Sequence, residues 1–242
     1  MSTKEKRHDL IYGINPVIEL LKAKRRSIAT IYTFAEKPKA WDRIERLLPK
    51  SVQKQHVTRD VLTRLAGTTD HQGVVAYATA FAYQRTFFDP VKYPLIALLD
   101  GIQDPRNLGA ILRSAYCSNV DGVVLCKKGG VGLTPTALKA SAGLAEHMHL
   151  YQTPSAAAAV VALKKAGYAI YLAALGGEDV RRVEYKTPLC IVVGSEGAGI
   201  SPEIAHSGTQ VMLPQRRSDI SYNASVAAGI FFFLLSEKTH RL

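Results

Sequence analysis

From residue 94 onward, short unbroken apolar runs alternate with segments whose apolar positions recur every three or four residues. The runs 95–99, 122–126, 148–151, 168–174, 189–193 and 210–213 read as strands, several of them buried on both faces. Between them, 107–118, 135–144, 155–166 and 224–236 read as helices. Strand and helix in alternation, with apolar strands, predict a mostly parallel α/β sheet. Ahead of residue 81 the elements are shorter. A helix is expected over 16–23, with Asn15 as its cap and Pro16 at its first position. Strands follow at 27–34, 52–57 and 73–80. Helices are expected at 41–48, stopped by Pro49, and at 58–65, where residues 61, 62 and 65 share a face. Residues 81–93 keep no period and are rich in aromatics, so they read as a linker. The predicted division is a domain over 1–80, the linker 81–93, and a larger domain over 94–242.

Length and composition agree with a two-domain globular chain. There are 242 residues, 47% hydrophobic and 21% charged, which disfavours disorder, collagen and coiled coil. The apolar run 229–235 is far below the ~20 residues that span a bilayer. The polar start predicts no secretory signal. Three cysteines, Cys117, Cys126 and Cys190, are an odd count without metal-ligand spacing, and read as small core residues reduced in a cytoplasm. Net charge is +11, and it is uneven: residues 1–93 carry 17 basic and 9 acidic side chains, a surplus of eight. That points to one module meeting a polyanion, with nucleic acid the obvious candidate; the alternative is a merely solubilising surface.

Three stretches in the larger domain stand just after predicted strands, where ligands bind in open α/β sheets. In Asp104-Pro-Arg-Asn-Leu-Gly-Ala-Ile-Leu-Arg113, Asn107 is either a helix cap or a site residue, and Arg113 either a surface arginine or a functional one. In Gly194-Ser-Glu-Gly-Ala-Gly199, glycines permit close approach to a ligand, and Glu196 stands among them. The spacing is neither the dinucleotide fingerprint nor a P-loop, which disfavours a nucleotide-dependent oxidoreductase. In Ser221-Tyr-Asn-Ala-Ser-Val-Ala-Ala228, Ser221 and Asn223 flank Tyr222 before an Ala-rich helix, in cap positions or in a site.

Taken together and in this order, the three stretches resemble the SpoU/TrmH family of RNA 2′-O-ribose methyltransferases, within the SPOUT class. Tyr12-Gly-Ile-Asn-Pro-Val17 and His71-Gln-Gly-Val-Val-Ala76 resemble the start and end of the small substrate-binding domain of members that modify 23S rRNA. The resemblance implies an α/β fold whose C-terminal, mostly parallel sheet ends in a trefoil knot, preceded by a small L30e-like α/β domain. It also implies a homodimer formed through the knot region. It implies S-adenosyl-L-methionine as cofactor, held by Ala174, Leu175, Gly194, Leu213 and Tyr222. Arg113, Asn107, Glu196, Ser221 and Asn223 take the catalytic positions. RNA is the implied partner, with rRNA favoured over tRNA by the first domain. Lys22, Lys24, Arg25 and Arg26 are its densest basic run, and Arg216 and Arg217 are further candidates for phosphate contact; solvated surface charge is the alternative for both groups. The chain departs from the family where Pro-Met-x-Gly is usual: here stands Pro214-Gln-Arg-Arg217, and Tyr222 replaces the usual Leu. A non-catalytic RNA-binding or ribosome-assembly protein on the same fold is the remaining alternative.

Overall fold

The computed structural model describes residues 8–217 and 220–242. The polar start before residue 8, and Ser218 and Asp219 next to the third stretch, lie outside them. Two compact units form: residues up to Ala82 together with Pro135–His147, and Tyr83–Thr134 together with Met148–Leu242.

In the first unit the chain runs β1 (His8–Tyr12), α1 (Ile14–Ala23), β2 (Ile28–Thr33), α2 (Trp41–Leu47), β3 (Gln53–His56), α3 (Arg59–Ala66) and β4 (Val74–Thr79). The strands lie in the order β1-β4-β2-β3, with only β2 and β3 parallel. β1 carries only three apolar residues beside the polar start, too few to announce a strand; its antiparallel pairing with β4 makes it one. Helix α1 begins two residues before the predicted start. Gly13 holds the cap position, so Asn15 is not the cap, and Pro16 sits in the first turn, where no N–H bond is lost. Val17, Leu20, Ile31, Trp41 and Ile44 fill the core. Residues 135–147, carrying α5 (Pro135–Ala140) and a 3₁₀ turn (Leu144–His147), complete this unit by packing on α1 and β1.

The second unit holds β5 (Leu95–Asp100), α4 (Pro105–Cys117), β6 (Gly122–Cys126), β7 (His149–Thr153), α6 (Ala156–Ala166), β8 (Ala169–Asp179), β9 (Leu189–Gly194), β10 (Thr209–Met212) and α7 (Ala224–Lys238). All neighbours in the order β10-β8-β9-β5-β6-β7 are parallel. Every residue of β5 is buried, as a central strand covered on both faces requires. One cover is α6, whose Ala159 and Leu163 join Ile96, Leu98, Val124 and Val192. The aromatics of 81–93 pack here too. Phe87 and Phe88 meet Tyr151 edge to face, and Phe88 fills the space over Gly122. Cys126 and Cys190 are buried in strands as expected, whereas Cys117, in the last turn of α4, is exposed. Among the described residues no helix is long and apolar enough to cross a membrane.

This order fixes where a site can form. The chain enters the sheet at β5, moves outward through β6 and β7, then returns on β5's other side. Strand β5 therefore has β6 on one flank and β9 on the other, and the loops leaving β5 and β9 diverge at its carboxyl end, the switch point at which ligands bind in such sheets.

Candidate active site

Asp100 ends β5 as a nearly buried acid, and its Oδ2 accepts from the Ser201 amide at 2.7 Å and the Ser201 hydroxyl at 2.6 Å. These bonds pin the far end of the loop leaving β9 to the end of β5. Four residues on, Asp104 caps α4 by accepting from the Arg106 amide at 2.8 Å, with Pro105 at the first helical position. The helix thus starts two residues earlier than the pattern predicted. Asn107 is not its cap but lies in its first turn, and its carboxamide is left for other partners.

The loop after β9 is a tight hairpin. Ser195 and Gly199 exchange both backbone hydrogen bonds, at 3.1 and 3.0 Å, leaving Glu196, Gly197 and Ala198 at the tip. Gly199 adopts φ +67°, which favours glycine, and a Cβ at Gly194 would run into the backbone of Gly199. The glycines are there so that the hairpin can close, and closing it presents the Glu196 carboxylate. Asn107 donates through Nδ2 to Glu196 Oε1. Asn223 donates through its own Nδ2 to the same oxygen at 2.7 Å. Asn223 also caps α7: its Oδ1 accepts from the Ser225 amide at 2.9 Å and the Ser225 hydroxyl at 2.6 Å. The cap expected in the sequence is realised by one end of the carboxamide, and the other end holds Glu196. Residues 107, 196 and 223, far apart in the chain, meet on one oxygen.

A cavity of about 470 Å³ opens beside this node. Ala174, Leu175, Gly194, Leu213 and Tyr222 all line it, as do Glu196 and Ser221. Part of its wall comes from an excursion of β8. Leu172 pairs with Gln210, but the next pairing is Glu178 with Val211, so residues 173–177 leave the ladder. Gly177 returns the chain to it so closely that a Cβ there would lie 2.6 Å from the Gln210 carbonyl carbon and 2.7 Å from the Val211 nitrogen.

The other candidates fall into three groups. Arg113 is exposed on α4, six residues beyond Asn107 and so about 9 Å further along the axis; among the described residues it forms no hydrogen bond or ion pair. Arg216 and Arg217 are exposed in the loop that leads to Tyr222. In the first unit Lys22, Lys24 and Arg25 are exposed, Lys22 pairing with Glu19 at 2.8 Å. Arg26 corrects its expectation. Its side chain is buried, bonded to Asp9 Oδ2 at 3.2 Å, 3.6 Å from the buried Glu146 and over the Phe81 ring, so its guanidinium is not part of an exposed patch. Two residues here were not expected from the sequence. Asp100 had a signal, an acid closing an apolar strand. Gln215 lines the cavity, and its Nε2 is buried with no hydrogen-bond partner among the described residues; only its departure from the usual third stretch marked it.

Comparison with known proteins shows the family. The model of the SpoU rRNA Methylase family matches residues 94–233. The model for RNA 2′-O ribose methyltransferase substrate binding matches residues 10–84. A Bacillus subtilis (strain 168) protein, YacO, assigned to the TrmH family of tRNA/rRNA methyltransferases, is 32% identical over 96% of both chains. The 23S rRNA (guanosine-2′-O-)-methyltransferase RlmB of Shewanella oneidensis is 32% identical over 94% of this chain and 96% of its own. The SpoU methyltransferase AviRb of Streptomyces viridochromogenes, solved in complex with AdoMet, shares the fold with a TM-score of 0.79, at 20% identity, over 96% of this chain and 91% of its own. A family model over more than half the chain, and relatives alike from end to end, leave one assignment: the chain belongs to the SpoU rRNA methylase family of RNA methyltransferases.

Proposed function

We propose that this chain transfers a methyl group from S-adenosylmethionine to the ribose 2′-OH of a guanosine in 23S rRNA. The observation that carries the reading is that Glu196 belongs both to the cavity wall and to the Asn107–Asn223 node. A place for a cofactor and a place for polar chemistry are therefore contiguous. The guanosine rests on the likeness to RlmB. The name of the Bacillus subtilis relative supports tRNA as the second reading.

The cavity suits the cofactor. Its volume is that of a small-molecule site. Its wall is largely apolar, with turn backbone from 173–175 and 194–200, and Gln215 carries an unpartnered donor. When bound, S-adenosylmethionine supplies an electrophilic methyl group on a sulfonium. The protein's residues do the rest by alignment and charge placement. Glu196 holds Asn107 and Asn223 in one orientation, and these carboxamides position the ribose. Arg113 keeps its protons throughout and so is no base. It would clamp the neighbouring phosphate in bidentate fashion and stabilise negative charge developing on the 2′-oxygen, whose proton would pass to water. Ser221, on the cavity wall, orders the third loop.

Lys22, Lys24 and Arg25, with Arg216 and Arg217 nearer the chemistry, are proposed to contact RNA phosphates. The proposed partner through the knot region is a second copy. Helix α7 is apolar around its whole circumference, the character of a buried helix, yet its Val226 and Phe233, seven residues apart on one stripe, are 48% and 55% exposed. Cytoplasm is the proposed location, where RNA is met and three unpaired thiols stay reduced.

The test is incubation with labelled S-adenosylmethionine and separate unmodified rRNA and tRNA transcripts, followed by mapping of 2′-O-methyl groups by blocked alkaline cleavage. Label at one guanosine of 23S rRNA is expected. Label in tRNA would replace the substrate. Absence of label from both and from native ribosomal precursors, with the cofactor bound, would favour the scaffold alternative.

A further inference from the structure

We propose that Gln215 reads the hydrogen-bonding edge of the cofactor's purine, giving the protein a side-chain contact that selects adenine. The inference rests on the cofactor reading above and deepens it.

Gln215 contributes to the cavity wall, two residues after Leu213, which lines the same wall and is nearly buried. Its Nε2 is shut off from solvent and has no acceptor among the described residues. A buried donor without an acceptor is costly, and native structures keep few of them. This one stands where a ligand would bring the missing acceptor. The last torsion of a glutamine is soft, so the carboxamide turns toward an occupant at little cost. The surroundings say which part of the ligand that is. Leu172, Leu213 and Phe231 offer apolar surface, which suits the faces of a flat base and not the charged amino-acid end. A carboxamide carries a donor and an acceptor side by side, the complement of N7 beside the N6 amine of adenine, whereas hypoxanthine presents two acceptors on that edge, which no rotation of the carboxamide matches. The methionine usual at this place in the family pattern offers neither.

The experiment is calorimetric titration of the full chain and of Gln215→Leu with S-adenosylhomocysteine and with its hypoxanthine counterpart, S-inosylhomocysteine. The melting temperature of each protein is measured without ligand. The wild type is expected to prefer the adenine ligand. Gln215→Leu should lose about tenfold in affinity for it, the loss of one buried hydrogen bond, and change little toward the hypoxanthine ligand, so that the preference collapses. Without ligand, Gln215→Leu should melt no lower than the wild type, because it removes the orphaned donor. Stability kept or raised while adenine affinity falls is a pair of changes that a merely structural glutamine would not give. An unchanged preference in Gln215→Leu would overturn the proposal and leave the cofactor reading standing. A loss of melting temperature with equal losses for both ligands would also overturn it, showing a packing role. A wild type that binds neither ligand would overturn the cofactor reading and this one with it.

Discussion

Oε1 of Glu196 takes hydrogen bonds from Asn107 and Asn223, and Asn223 has a second, local job as the cap of α7. This double use makes substitutions at Asn223 informative. Asn223→Asp keeps the cap, since a carboxylate accepts from the Ser225 amide as well and suits a helix N-terminus. It replaces the donating nitrogen, 2.7 Å from Glu196, with a second anionic oxygen. Stability should change by no more than about 1 kcal/mol, because the pair is exposed, while methyl transfer falls at least tenfold; melting curves beside single-turnover assays separate the two. Arg113 gives the contrasting case. It is exposed and unpartnered among the described residues, so Arg113→Ala should shift stability by less than about 0.5 kcal/mol. Methyl transfer should fall by about 10²- to 10³-fold, the usual effect of removing a charge stabiliser. Arg113→Lys should not restore it, because a point charge cannot replace a bidentate fork. Turnover within a few-fold of wild type in Arg113→Ala would remove that residue from the chemistry. These side chains were legible because polar residues after apolar strands are conspicuous. Arg26 was misread for a physical reason: what buries it includes Glu146, 120 positions away, and no local pattern records that.

Element boundaries were legible where hydrophobicity alone decides them, as in β5, β6 and β9, and less so where the backbone does something irregular. Strand β8 shows why. Its predicted span stops at 174, just before Leu175 and the pair Gly176-Gly177. The chain nevertheless rejoins the sheet at Glu178 because β10 is there to pair with it, a partner about thirty residues downstream. The excursion 173–177 supplies Ala174 and Leu175 to the cavity, and it closes only because Gly177 has no side chain to push against the backbone of β10. Gly177→Ala should therefore act on the element and the site together. Overpacking of this kind costs about 1–3 kcal/mol, and the displaced loop should weaken binding of S-adenosylhomocysteine as well. Calorimetry and thermal melts on the one variant check both. Gly197→Ala is the control for the melts, since a Cβ at the hairpin tip meets nothing within 4 Å.

At the scale of the whole molecule the chain visits its first unit twice, and the second visit, Pro135–His147, carries a charge into that unit's interior. Nothing in the hydrophobic pattern marks this return; a helix over 135–144 would suit either unit. The charge is Glu146, 1% exposed, facing Arg26 and Asp9, with Arg25 also within electrostatic reach. Burial pushes its carboxyl up from 4.5 to about 7, against the opposing pull of Arg26. Folded protein thus holds a proton between those two values that the unfolded chain has released. The stability linked to it is complete below pH 4.5 and is lost as pH rises through about 7, a change on the order of 3 kcal/mol. Glu146→Gln keeps the shape and the neutral form at every pH. The wild type should match it near pH 4 and be clearly less stable at pH 8, and taking the difference between the two proteins cancels groups such as His71, whose buried ring is pushed down. Trp41, the chain's single tryptophan, lies buried in the first unit, so its fluorescence in a urea titration reports that unit by itself. A difference between wild type and Glu146→Gln that stays constant from pH 4 to pH 8 would show that Glu146 does not take up its proton in this range, and that the second visit is held by packing alone.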